Sequence, residues 1–108
     1  MHERQWKLEV DDLRLRLVDP EGATRVVEKT ALRGVIVETN DSGPWGADVW
    51  WLLFAADDRV ALAFPQGASG EADVLDYLCA LPGFDYEVMT QAMTSVENAV
   101  FPVWRKPD

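Results

Sequence analysis

One strand-length segment constrains the fold more than any other part of the sequence. Residues 47–56, ADVWWLLFAA, are apolar at almost every position. Because successive side chains of a strand point to opposite faces, Trp50 and Trp51 must lie on different sides of it. A strand with one face in water alternates apolar with polar residues, and this segment does not. We therefore predict a strand that is covered on both faces, by the rest of the chain, by a partner or by a ligand.

Alternating apolar and polar residues predict further strands in the first two thirds of the chain. The connections are short and rich in turn residues, with DPEG at 19–22, a loop NDSGPWG at 40–46 and a turn at Asp57 and Asp58. Connections of this length join antiparallel strands. The predicted strands lie at 6–10, 13–17, 24–28, 32–39, 47–56 and 59–64.

From residue 71 the apolar residues recur at helical spacing. We predict a first helix with Ser69 as its N-cap and Glu71 in its first turn, ended by Pro82. A second, shorter helix is predicted to begin at Asp85 and to end at TSVEN, residues 94–98. The apolar stripes of the two helices comprise Val74, Leu75, Leu78 and Leu81 in the first, and Val88, Met89, Ala92 and Met93 in the second.

The last apolar segment, AVFPVWR at 99–105, predicts a closing strand. Pro102 cannot donate a ladder hydrogen bond, so this strand should lie at an edge or contain a bulge. The predicted fold class is α+β: a mainly antiparallel, strongly bent sheet of about six to seven strands, with two helices in the C-terminal half. We expect a single domain over residues 1–108, with residues 1–4 as a frayed tail.

The charge of the chain argues against two classes of partner. A formal net charge of -9 over 108 residues repels nucleic-acid phosphates and anionic lipid, so we expect neither as a partner. No run of about 18 apolar residues is present, and the first residues lack the apolar segment of a signal peptide. With a single cysteine and no internal disulfide, the sequence predicts a cytoplasmic protein.

Few residues suit catalysis or metal binding. The one histidine, His2, lies in the predicted tail, so no Ser-His or Cys-His pair can be placed. Cys79 lies beside Leu78 on the predicted helix and is interpreted as a buried thiol. The loop QGASG, residues 66–70, is interpreted as a helix cap rather than an anion site. We predict no catalytic, cofactor-binding or metal-ligating residues, and no cofactor.

Four aromatic residues remain as the candidate interface or ligand surface: Trp45, Trp50, Trp51 and Phe54. Three interpretations stay open: all four belong to the core of a strongly bent sheet, some form a homodimer interface, or some line a groove for a small molecule or peptide. Trp45, in a Gly-Pro-Trp-Gly loop, is expected to be the most exposed of the four.

Two long segments resemble a family of small bacterial proteins that share this linear pattern and no established activity. The segments are NDSGPWGADVWWLLF, residues 40–54, and FPQGASGEADVLDYLCALPGFDYEVMTQAMTSVENAVFPVWR, residues 64–105. The resemblance spans roughly residues 24–105 and implies a bacterial cytoplasmic setting. Short early strands followed by TALRGVIVET, residues 30–39, also resemble bacterial pleckstrin-homology-like domains, although those usually close with a helix and carry a basic lipid-binding patch.

The leading functional prediction is a non-enzymatic protein-binding or regulatory module of a bacterial cytoplasm, acting as a homodimer or with another protein. A small acidic immunity-type protein that neutralises a basic toxin is one version of it. The alternative is a small-molecule-binding protein or cryptic enzyme with a pocket beside Trp45, Trp50 and Trp51.

Overall fold

A computed structural model describes residues 6–43, 46–56, 59–95 and 97–107. Within these ranges the chain forms seven strands, two α-helices and one 3-10 turn. The strands are β1 (Lys7–Val10), β2 (Arg14–Val18), β3 (Thr24–Glu28), β4 (Gly34–Gly43), β5 (Gly46–Phe54), β6 (Val60–Pro65) and β7 (Ala99–Arg105); the helices are α1 (Glu71–Cys79) and α2 (Tyr86–Thr94), and the 3-10 turn is Lys29–Ala31.

The strands form two antiparallel sheets, which we call sheet A and sheet B. Sheet A has the order β1-β2-β3, and sheet B has the order β6-β5-β4-β7. The predicted α+β class, two helices and closing strand are confirmed, whereas the single bent sheet is replaced by two sheets. The closing strand is an edge strand, and a register shift lies where Pro102 pairs with Ile36, as expected for a residue without a backbone N–H.

The two sheets are joined through the loop that follows β6. The backbone N–H of Leu8 donates to the Ser69 carbonyl at 2.7 Å, and the Ser69 N–H donates to the Trp6 carbonyl at 2.8 Å. Because this pairing occupies the Ser69 backbone, the predicted N-cap at Ser69 is wrong. Gly70 is the N-cap of α1, in the left-handed conformation with a φ of 84° and without a side-chain cap.

The segment between the helices is fixed to the closing strand. Asp85 caps α2 as predicted, because its Oδ1 accepts from the Val88 N–H at 3.0 Å. The Asp85 N–H donates to the Val103 carbonyl at 2.7 Å, and the indole N–H of Trp104 donates to the Pro82 carbonyl at 2.8 Å. The first helix ends at Cys79, before the predicted stop at Pro82.

The core lies between the inner faces of both sheets and the apolar sides of the helices. Sheet A contributes Leu8, Leu15 and Leu17, each 5% exposed or less. The side chains that are fully buried on the other elements are Val35, Val37, Trp51, Leu53, Leu62, Phe64 and Val103 from sheet B and Val74, Leu78 and Ala92 from the helices.

Local backbone geometry differs from the prediction at three places. Leu13 is 65% exposed, because Asp11 Oδ1 accepts from the N–H groups of Leu13 and Arg14 and forms a turn there. Val60 is 46% exposed, next to a register shift between β5 and β6. The predicted loop at 40–46 is shorter than expected, since β4 continues to Gly43 and β5 begins at Gly46.

Candidate functional site

The two faces of β5 differ in burial although both are apolar. Trp51 and Leu53 are fully buried in the core. Trp50, Leu52 and Phe54, on the opposite face, are only half-buried and do not belong to the core cluster. One strand therefore supplies an interior face and an apolar exterior face.

The exterior side chains of β5 continue into a wider apolar surface across sheet B. In the strand register, Leu52 lies between Ile36 on β4 and Ala63 on β6, and Pro102 on β7 follows Ile36. Trp50 lies next to Glu38 in the neighbouring row. We call this surface the outer sheet face, and it consists of Ile36, Glu38, Trp50, Leu52, Phe54, Ala63, Val100 and Pro102.

Both helices pack on the opposite side of sheet B. The Thr39 hydroxyl, on the core side of β4, donates to the Glu97 carbonyl at 2.7 Å, just beyond α2. Ala92 of α2 and Leu78 of α1 are fully buried in the same core. Cover on the outer sheet face is partial: Trp6 packs edge-to-face against Trp50, with ring centroids 5.5 Å apart, while Val100 is 56% exposed.

Basic residues gather at one end of the outer sheet face. Arg105 pairs with Gly34 in the strand register, Arg33 donates its backbone N–H to Phe54, and Arg59 accepts from the Ala55 N–H. All three arginine side chains are exposed, and the ion pair found among the described residues is elsewhere, between Arg16 and Glu9. We call Arg33, Arg59, Arg105 and the adjacent Lys106 the basic end. Glu38 lies toward the other end of the same face.

Of the four aromatic residues singled out from the sequence, the three that the structure describes lie in two different places. Trp50 and Phe54 lie on the outer sheet face, whereas Trp51 lies in the core. Trp45 lies outside the described residues. Sequence reasoning missed Ile36 and Ala63 as members of the same surface. Ile36 could have been assigned to this surface because it alternates along β4 with Val35 and Val37, both of which are buried.

A groove runs beside this surface, between the end of the β2–β3 hairpin and the exterior side of β5 and β6. Its volume is about 390 Å³, and its walls include Trp6 and Arg25 on one side and Trp50 and Ala63 on the other. Trp50 and Ala63 thus belong both to the groove and to the outer sheet face. Of the described members of the predicted pocket, Trp50 lines this groove and Trp51 lies in the core.

The lone thiol and the loop before α1, both singled out from the sequence, have specific surroundings in the fold. Cys79 is half-buried, and burial together with the nearby Asp76 carboxylate raises the pKa of its thiol, which favours the protonated form over the nucleophilic thiolate. In the loop before α1, the Gly67 N–H donates to Glu71 Oε1 at 3.0 Å. The protein's own carboxylate therefore occupies that amide. In the described part of the chain, no three His, Cys, Asp or Glu side chains cluster as metal ligands would.

Neither helix of the described residues is long and apolar enough to cross a membrane. No protein-family model matches the chain, and neither the curated proteins nor the solved structures contain a significant match to it. The resemblance to small bacterial proteins stays a prediction, and functional inference depends on the geometry of the outer sheet face and the groove.

Proposed function

We propose that this protein is a non-enzymatic protein-binding module that docks through the outer sheet face, and that a second copy of the chain is the occupant. The observation that carries the proposal is the pair of apolar faces on β5. Trp51 and Leu53 face the core, while Trp50, Leu52 and Phe54 are left half-exposed on the exterior.

An apolar sheet face costs free energy when it contacts water, and a partner removes that cost. Burial of apolar surface is worth about 25 cal/mol per Å², and tryptophan is enriched among the residues that dominate interface energies. Trp50 lies on a central strand of the face, between Glu38 on β4 and Pro65 on β6. A second copy supplies an equally apolar face, so the two cover each other symmetrically.

A second copy can pack on this face with its strands parallel or antiparallel to those of the first, and the charges favour one of these arrangements. With strands of the two copies parallel, the basic end of each copy meets the basic end of the other. With strands antiparallel, the basic end meets Glu38, and opposite charges approach. Complementary charge fixes orientation more than it adds affinity, so the antiparallel arrangement is part of the proposal.

The size of the face predicts a weak association. Four strands about 4.8 Å apart and five residues of about 3.3 Å each give a patch of roughly 300 Å². A standard stable interface takes about 800 Å² from each partner. Copies that join over a patch of this size exchange readily, which suits a regulatory module whose face is released to another protein.

The proposed setting is a bacterial cytoplasm, which follows from the sequence resemblance and the lone cysteine. The pleckstrin-homology-like resemblance belongs to the same proposal: seven strands divided three and four between two sheets support it, whereas a final strand in place of a final helix does not.

Sedimentation velocity over about 1–200 μM tests self-association. We expect the wild-type mass to rise with concentration from the 12.1 kDa monomer. Leu52→Lys should remain a monomer throughout, because it places a charge at the centre of the face. Val26→Lys is the matched control, since Val26 is an apolar residue on the exterior of sheet A with 51% exposure. A concentration-independent monomer for the wild type contradicts the proposal.

Charge reversal tests the antiparallel arrangement separately. Arg105→Glu and Glu38→Arg should each weaken association several-fold, and the double variant should recover most of it, because the opposite-charge contact is rebuilt across the interface. If the double variant is weaker than either single variant, the arrangement is wrong even if the protein is a dimer.

A further inference from the structure

We infer that the groove beside Trp6 and Trp50 is a binding site for a planar aromatic group that carries a carboxylate. The groove volume of about 390 Å³ falls within the range of ligand pockets, roughly 300–1,000 Å³. Such pockets combine apolar walls with a few polar groups that fix the orientation of the ligand. The groove shares Trp50 and Ala63 with the outer sheet face, whereas Trp6 and Arg25 belong to the groove alone.

Two indole rings form a corner in the groove. Trp6 and Trp50 meet at an interplanar angle of 90°, with centroids 5.5 Å apart, and each ring is half-buried. A planar ring that enters the corner can stack on one indole while its edge meets the other, and both arrangements are favourable for aromatic pairs. The main chain at Trp6 is held in place, because its carbonyl accepts from the Ser69 N–H at 2.8 Å.

Small residues on β6 keep the groove open. Ala61 and Ala63 line it, although strands favour larger β-branched or aromatic residues at such positions. Ala63 pairs with Leu52 in the strand register, so a longer side chain at that position would extend over the exterior of sheet B beside Trp50. The space next to the indole corner therefore depends on alanine.

One cation of the groove has no ion-pair partner in the part of the chain that the structure describes. Arg25 is exposed, it pairs with Leu17 in the register of sheet A, and no carboxylate of the described residues lies within 4 Å of it as an ion pair. The other charged group, Asp19, uses Oδ1 to accept from the N–H groups of Glu21 and Ala23 at 2.9 Å each. The turn thus fixes Asp19 through one carboxylate oxygen, and the Arg25 guanidinium is the cationic group of the groove that a ligand carboxylate would contact. Arginine binds a carboxylate through two parallel hydrogen bonds.

The same chemistry can come from a free aromatic acid or from the C-terminal aromatic residue of a peptide. Isothermal titration calorimetry with 1-naphthoate tests the first source, and a short acetylated peptide that ends in tryptophan tests the second. The matched neutral ligands are 1-naphthamide and the same peptide with an amidated C-terminus. In at least one of the two pairs, we expect the acid to bind at least about tenfold more tightly than the matched amide. The amide lacks the charge that Arg25 recognises.

Three variants locate the binding. Arg25→Gln should weaken binding of the acid about tenfold and leave binding of the amide unchanged, and Ala63→Leu should remove binding of both. Arg14→Gln, on the exterior of sheet A, is the control and should have no effect. Equal affinity for acid and amide, or an undiminished affinity in folded Ala63→Leu, overturns the inference, as does the absence of binding by all four ligands. Far-UV circular dichroism verifies that each variant is folded.

Discussion

The exterior faces of the two sheets differ in chemistry. The exterior of sheet A carries charged residues on neighbouring strands, and its cross-strand contacts include an ion pair between Arg16 and Glu9 at 3.4 Å. On the exterior of sheet B, the neighbouring strands β4 and β5 carry Ile36, Leu52 and Trp50 instead. Both sheets bury their other face in one core, so burial of the inner faces does not explain the difference.

A charged exterior is what an antiparallel sheet needs when water covers it. Arg14 lies opposite Glu28 on sheet A, so opposite charges meet across the strands at a position that is exposed on both. Among the described side chains on the exterior of sheet B, the charged ones are Glu38 toward one end and the basic end at the other. The extended apolar exterior is therefore local to sheet B, and we propose docking on sheet B and solvent contact on sheet A.

The largest expected effect separates the two faces of β5. Trp51→Ala should lower the free energy of unfolding by about 3–5 kcal/mol, because it empties a fully buried site. Trp50→Ala should cost about 1 kcal/mol, since Trp50 is half-exposed and loses mainly its contact with Trp6. Denaturant unfolding measures both values. Equal losses would mean that the exterior of sheet B is packed as tightly as its interior, and the contrast between the sheets would disappear.

The next effect tests how the sheets are held together. Gly70→Ala should lower the free energy of unfolding by at least about 2 kcal/mol, because the residue has a left-handed φ of 84° and its Cβ would collide with the Leu8 carbonyl oxygen. Gly22, with a φ of 92° and open space around it, is the matched control, and Gly22→Ala should cost about 1 kcal/mol. If the two variants lose the same amount, the junction between β1 and the loop before α1 does not constrain the sheets.

Most strands and both helices could be predicted because their signals are local. Period-two alternation located the strands, and helical spacing located α1 and α2. The capping preference of Asp85 identified the start of α2, where its side chain accepts from Val88. The exposure of Leu13 was missed, because it results from a turn in which Asp11 Oδ1 accepts from the N–H groups of Leu13 and Arg14.

The division into two sheets could not be predicted, because it depends on contacts between distant residues. Trp6 and Ser69 pair through their backbones, which side-chain patterns do not reveal. The two-residue alternation of a strand placed Trp50 and Trp51 on opposite faces. It could not show which of them faces the core, because both faces are apolar. The groove was missed for the same reason: Arg25 and Ala63 are far apart in sequence, and only the fold brings them to one site.

The smallest expected effect is a change in Tm when the Asp11 carboxylate is removed from the turn between β1 and β2 of sheet A. Hydrogen bonds from the backbone N–H groups of Leu13 and Arg14 lower the pKa of the Asp11 carboxyl below its ordinary value of 3.8. A lowered pKa in the folded state means that the carboxylate stabilises the fold above the unfolded pKa, and that this contribution is lost as the pH falls through the folded pKa. The Tm of Asp11→Ala should therefore lie slightly below that of the wild type near neutral pH, and the gap should close between about pH 5 and about pH 2. Asp12→Ala, at the exposed neighbouring position, is the control and should follow the wild type. A gap for Asp11→Ala that persists unchanged at low pH would show that the turn is stabilised by the shape of this side chain and not by its charge.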